Sequence, residues 1–311
     1  MRYLSLFNQY FVQYSKVRLS YRLDFLISVL TTVVATAASV AVIFLIFARM
    51  PRVAGWSFLE ILFLYGFSLL PMSLFNMLSI NLYFFSDSYI VQGKFDQVLL
   101  RPVNSLFQVL FEKFRLEAVG DTVLGLVLVI SCAARLGLRL GPADWIFIVF
   151  ATLCGCGIYS AIFLMLTSVS FWMEDRVGVI PPVYNMLAFG RYPLDIYGQV
   201  IRFLLSWVVP FGFASFYPTA HLLHKDVYRI YTWMLPVVTV VFLSAALAVW
   251  NRGVRNYTST DILDGAIQHV GFLFHRQEIE PFRTDCNFNL IALMPVFQHL
   301  FCLELNAVDT D

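Results

Sequence analysis

The side chains best placed to grip a partner lie in one stretch, 86–117, between two apolar blocks. It holds Gly93, Lys94, Asp96, Arg101 and Pro102 in quick succession. Val103, Leu106, Phe107, Leu110 and Phe114 follow at i, i+3, i+4, i+7 and i+11. That spacing marks one face of a helix, while Asn104, Ser105, Gln108, Glu112 and Arg115 take the other side. Proline is tolerated in a first helical turn, so a short amphipathic helix is predicted from Pro102 onward. Two uses fit such an element: a strut on a membrane surface, or a surface that docks another protein.

The stretch does not bind a nucleotide. Gly93-Lys94 is followed by Phe95 and not by Ser or Thr, and Ser88 stands five residues before Gly93. The phosphate-cradling loop therefore fails, and no Gly-x-Gly-x-x-Gly run follows a strand-like segment. If ATP is used, another chain must bind it. His221 and His224, with Asp226 nearby, form the best metal-like set, since residues three apart share a helix face. They fall near the end of an apolar segment, where polar side chains are expected anyway, so no metal is assigned. Asp195 and Arg202 fall seven residues apart at the inner end of the fifth apolar segment. Ionisable groups at such depth are functional candidates, although interfacial snorkelling accounts for them as well. No Gly-x-Ser-x-Gly elbow supports hydrolysis. Cys132, Cys154 and Cys156 lie in apolar runs as small hydrophobes, and Cys154-Gly-Cys156 is too tight for a redox or zinc pair. No directly bound cofactor and no nucleic-acid partner is expected.

The elements that must position these groups are apolar helices. The chain of 311 residues is 59% hydrophobic and 13% charged, with a mean hydropathy of +0.75. A soluble domain carries roughly 25% charged residues, so most of this surface is expected to face lipid. About 20 apolar residues cross a bilayer core as a helix, and strands are excluded there because backbone groups must pair internally. Six segments qualify: 25–47, 58–85, 118–137, 144–172, 197–216 and 232–250. The expected fold is an all-α integral membrane protein with six transmembrane helices. Pro210, Gly212 and Pro218 break the fifth segment, and 214–225 is expected to form a short re-entrant element at the outer surface before span six. Tyr3, Phe7, Tyr10, Phe11 and Tyr14 recur at helical spacing, which suits an interfacial helix on the inner leaflet or a helix packed on other helices. Basic residues favour the cytoplasm. Placing the N-terminus and residue 251 onward inside puts twelve Lys/Arg within and six outside among the loops. The N-terminal lead is not expected to be a cleaved signal peptide.

The motifs resemble those of a known family. Tyr21-Arg22-x-Asp24-Phe25, Gly55-Trp56, Gly93-Lys94-Phe95-Asp96 with Leu99-Leu100-Arg101-Pro102, Arg191-Tyr192-Pro193-Leu194 and Phe216-Tyr217-Pro218 occur in order over 1–260. Together they resemble the permease subunits of ABC-2-type ABC exporters, in the bacterial branch that pairs two permeases with a separate ATPase. The resemblance implies a multi-pass protein of the bacterial plasma (inner) membrane that does no chemistry itself. A second permease, homologous or identical, would complete the pathway, and an ABC ATPase subunit would supply ATP hydrolysis. The loop between spans two and three would be the coupling element, with Gly93, Lys94, Asp96, Arg101 and Pro102 as candidate contacts. A rival reading is a membrane scaffold or assembly subunit without transport of its own. A secondary transporter is disfavoured because Glu60, Glu117 and Asp121 fall near span ends.

The resemblance covers a 1–260 permease domain and implies an end near Tyr257-Thr-Ser-Thr260. Residues 261–311 differ in character, with two basic and eight acidic residues against nineteen and twelve before them. This acidic tail is expected to be poorly ordered. A regulatory segment and a shifted or read-through reading frame both account for it.

Overall fold

The computed structural model describes residues 2–20, 22–173 and 178–257; the acidic tail 261–311 lies outside the described residues. Those described are helical, with a lone bridge between Val53 and Trp56 and no strand among them. Helix α1 (Arg2–Ser20) leads to α2 (Arg22–Arg49), and α3 begins at Phe58 and runs to Ser79. Ser57 and Glu60 start α3 with a reciprocal cap: the Glu60 N–H donates to Ser57 Oγ at 3.4 Å and the Ser57 N–H to Glu60 Oε2 at 2.7 Å. Short 3₁₀ and π turns then prolong the rod to Val91. The whole run of 34 residues spans about 50 Å at 1.5 Å per residue. That exceeds a bilayer core of about 30 Å, and the loop at 92–117 follows at its far end.

Two further short helices, α4 (Lys94–Leu99) and α5 (Ser105–Phe111), occupy that loop. Next come α6 (Ala118–Leu136), closed by left-handed Gly137, and α7 (Pro142–Ser168). Helix α3 is the hub. It meets α6 where Gly66 faces Gly125: a Cβ at Gly66 would fall 2.6 Å from the Leu128 Cβ, and one at Gly125 would fall 2.8 Å from the Gly66 carbonyl oxygen. Paired small residues let the backbones close in, which is how helices gain packing energy in lipid.

After α7 the chain crosses back through α8 (Ile180–Met186) and a 3₁₀ continuation, Leu187–Arg191. These twelve residues, about 20 Å long, end near Asp195. There the Trp56 indole N–H donates to Asp195 Oδ2 at 3.0 Å. Trp56 stands at the start of α3, the pole opposite the loop. Helix α9 (Gln199–Phe203) with a π continuation to Val208 then descends, and α10 (Phe211–Ala214) and α11 (Phe216–Leu222) return. The two arms meet at 71°. Pro210 makes the bend, with φ −70° and ψ 50° and the Phe211 N–H reaching back to the Val209 carbonyl, a three-residue turn. The last helix, α12 (Arg229–Asn256), runs from the Trp56 pole to the loop pole.

Among the described residues five helices are thus long and apolar enough to cross a membrane, or six if the bent pair counts as one. The expected fifth span, 197–216, falls on the descending arm and the start of the return. Its start and the end of the returning arm sit at the same pole, because Arg202 and Tyr228 both bind Asp195. The bent pair is a hairpin, and the pole-to-pole passage belongs to 180–196. Hydropathy missed this for a physical reason. Residues 180–196 carry Pro181, Pro182, Asn185, Arg191 and Pro193, which lower their hydropathy, and Asn185 and Arg191 border a cavity. Residues 211–220 are apolar because protein buries them almost completely.

Candidate functional site

The loop at 92–117 is assembled from conformations that particular residues enforce. Gly93 adopts φ +67°, left-handed, and turns the chain from the end of the α3 rod into α4. Pro102 does not open a helix, as its position suggested. It sits at the centre of a tight turn in which the Val103 N–H donates to the Arg101 carbonyl at 2.7 Å. Helix α5 starts three residues later, where Asn104 Oδ1 accepts from the Phe107 N–H at 3.2 Å.

Gln108, expected on the polar side of this helix, is buried instead. Its Nε2 donates to the carbonyls of Val98 at 3.1 Å and Val103 at 2.9 Å, stitching α5 to the end of α4. Asn81, in the α3 rod, donates to the carbonyls of Leu110 and Lys113 at 3.2 and 3.0 Å. The Tyr89 hydroxyl donates to Glu112. The loop is thereby fixed to the rod at both of its helices.

Its firmest attachment is Phe95, which is fully buried. The Phe95 ring lies 5.6 Å from Phe85, 5.1 Å from Phe171, 6.1 Å from Trp250 and 5.1 Å from Tyr257, centre to centre. Those partners end the α3 rod, α7 and α12. Helix α4 is therefore keyed by one aromatic side chain into the ends of three long helices. Edge-to-face ring pairs at these separations contribute about 0.5–1.5 kcal/mol each beyond area burial. Phe95 belongs to the Gly93-Lys94-Phe95-Asp96 motif, which by itself does not show that it is an anchor. The signal available was its position between Lys94 and Asp96, an aromatic among charges on a short helix.

The predicted contact residues divide accordingly. Gly93 shapes the turn. Lys94, Arg101 and Pro102 are exposed, and Asp96 is half-buried. Lys94 and Arg101 border one shallow cleft with Tyr10 and Glu112. Leu99 and Leu100 stand beside them, exposed by 44% and 85%. The loop thus presents two cations and two leucines outward while its aromatic anchor points inward. Helix α1 supports it from the side: Phe7 packs edge-on against Phe111 and Phe114 at 5.1 and 5.5 Å, and Phe11 and Tyr14 also meet Phe114. The rings of Phe7, Phe11 and Tyr14 thus pack on the end of α5 and the segment that follows it.

The other predicted residues gather at the opposite pole. Asp195 and Arg202 do meet, at 3.3 Å, but across a turn between elements and at the Trp56 end of the bundle, not at the loop end. The Tyr228 hydroxyl donates to Asp195 Oδ1 at 2.5 Å. Burial, and then that hydrogen bond, push the Tyr228 phenol up to about 12, which keeps it a donor in ordinary buffers. Lys225 pairs with Glu60 at 3.1 Å and lies 3.7 Å above the Trp56 ring centre. The His221 ring lies tilted against Phe147 at 4.8 Å, whereas His224 is exposed on left-handed backbone beyond α11, so the two share no helix face. Among the described residues no three His, Cys, Asp or Glu side chains come together as a metal would require.

Between the poles a cavity of about 120 Å³ opens beside α3, walled by α2 on one side and by 184–191 on the other. Arg115 and Arg191 both border it. A family model described as "ABC-2 family transporter protein" matches residues 33–261. No curated protein and no solved structure matches the chain.

Proposed function

The chain belongs to the ABC-2 transporter family, and from that premise we propose that it is the membrane-spanning permease of an ATP-driven exporter whose ATPase is a separate chain. The observation that carries this reading is the loop at 92–117, outwardly basic and apolar, inwardly keyed through Phe95 into three long helices. Such a construction turns a push on the surface into a tilt of the bundle. The sequence offers no nucleotide-binding loop of its own. ATP would act through the partner, with Lys94 and Arg101 pairing with acidic groups there and Leu99 and Leu100 filling an apolar recess.

In this reading the chain crosses the bacterial inner membrane six times, with 180–196 as the fifth crossing and 199–222 as an outer re-entrant hairpin. The loop pole is cytoplasmic, as are both ends of the described chain. The face formed by α2, α3 and 180–191 turns to a second permease, identical or related, and the two copies enclose the pathway. ATPase closure then moves the loops as rigid bodies.

The test reverses charge in the loop. Lys94→Glu with Arg101→Glu is expected to abolish co-purification of the ATPase encoded alongside the chain, or to remove its permease-dependent ATP turnover, while the permease itself remains folded. Unchanged association and turnover would sink the coupling assignment. Transport sustained by an ion gradient without ATP would sink the exporter reading.

A further inference from the structure

The cavity beside α3 holds a charge arrangement that the permease reading leaves unexplained. Arg191 reaches it from the 180–196 passage, at the depth of Tyr65 and Met72, well inside α3. Its Nη2 finds the Met72 thioether at 3.3 Å, and its guanidinium lies 5.8 Å from the Tyr65 ring centre. Its Nε–H is buried and has no acceptor among the described residues. A guanidinium at this depth is costly to keep and is ordinarily retained for a partner. A thioether and a ring face are poor substitutes for an anion.

Arg115 borders the same cavity nearer the loop, and one carboxylate, Asp121, lies within the fields of both cations. Ser73, Asn76 and Tyr184 complete a polar wall, with the Tyr184 hydroxyl donating to Asn76 Oδ1 at 3.1 Å. At about 120 Å³ the space is well below the roughly 300 Å³ at which pockets begin to enclose whole ligands. It suits a compact charged group whose remainder lies outside, and the lining continues into apolar Leu69, Met72 and Leu187.

We propose that this cavity seats the anionic headgroup of an amphipathic substrate, a phosphate or carboxylate on an apolar tail, with Arg191 as its principal ligand and Arg115 as the second. The site deepens the transport reading and rests on it for the word substrate. Its chemistry is single: an anion replaces the acceptor that Arg191 lacks, and the tail follows the apolar wall out between α2 and the 180–191 passage.

Binding can be read without any ATPase. The full chain in phosphatidylcholine nanodiscs is titrated with dodecyl phosphate, following intrinsic tryptophan fluorescence and the unfolding midpoint. Saturable binding is expected, weakened about tenfold or more by Arg191→Gln, as loss of a charge-assisted hydrogen bond implies. Arg191→Lys, which keeps the charge, should retain most of it, and Arg115→Gln provides an independent loss should Arg191→Gln fail to fold. Equal binding by wild type and both Gln variants would overturn the site. So would equally tight binding of dodecyltrimethylammonium, which would mean that the tail alone is recognised. Inorganic phosphate competing at the same concentration would overturn the headgroup assignment in favour of a free anion. Loss of dodecyl phosphate binding with ATPase coupling intact rejects only the site; binding intact with no ATPase dependence on the chain rejects only the transport reading.

Discussion

At the scale of single residues, the loop separates anchoring from docking within a few positions. Phe95 is enclosed by rings from three helices, and Phe→Ala in such a setting costs about 3–5 kcal/mol. Phe95→Ala should therefore lower the unfolding midpoint of the purified chain clearly. Leu100→Ala removes a side chain that is 85% exposed, so stability should change by less than about 0.5 kcal/mol. If the docking assignment holds, retention of the ATPase on a permease affinity column should nevertheless fall. Equal behaviour of the two variants would remove the distinction. Gly93 is a third case. At φ +67° a Cβ costs about 1–2 kcal/mol, so Gly93→Ala is expected to lower the unfolding midpoint modestly while leaving every side-chain contact in place. From the sequence, Gly93, Lys94 and Arg101 could be picked out by type and spacing. Phe95 and Gln108 could not be assigned, because their roles depend on groups more than seventy residues away in one case and on local carbonyls freed by the Pro102 turn in the other.

At the scale of elements, the hairpin at 199–222 is held by its pole. Asp195 accepts from Trp56 and Tyr228 and pairs with Arg202, so one carboxylate ties the start of α3, the entry to α12 and the descending arm together. Asp195→Asn keeps the shape but removes the charge. It should cost about 1–2 kcal/mol, between an exposed pair and a buried one, read as a lower unfolding midpoint. The direction of the hairpin has its own test. With the five native cysteines replaced, single cysteines at Gly198 and Val227 should react with a membrane-impermeant maleimide from the same side, and Gln97 from the other. Labelling of Gly198 and Gln97 from one side would restore 197–216 as a crossing. Burial in protein and burial in lipid produce the same apolar run: residues 211–220 are buried within the chain, while the equally apolar α2 is little buried there.

At the scale of the whole molecule, the two poles do different work. In the proposed reading the loop pole is a keyed lever, since Phe95 of α4 packs on Phe85, Phe171 and Trp250 at the ends of the α3 rod, α7 and α12. Gly253 tightens that joint, because a Cβ there would fall 2.4 Å from the Phe171 ring. Gly253→Val is expected to loosen the joint. In the reconstituted complex, ATP turnover should continue with its dependence on the permease lost, whereas turnover still responding to the permease as in wild type would show that the joint transmits nothing. The opposite pole is a latch built from ion pairs and rings. The cavity with Arg115 and Arg191 lies between lever and latch.

The sequence by itself determined the class. Low charge and long apolar runs leave no alternative to membrane helices, since lipid cannot satisfy an open backbone. It also marked the loop at 86–117, because its charged and helical pattern interrupts the apolar blocks. Tertiary structure alone decided how the chain is routed between 178 and 228, where Asp195 lies, and which side of the loop faces inward. Those outcomes turn on contacts between residues far apart in the chain, such as Trp56 with Asp195 and Phe95 with Tyr257. Hydropathy records only that a side chain avoids water; it cannot say whether protein or lipid takes water's place.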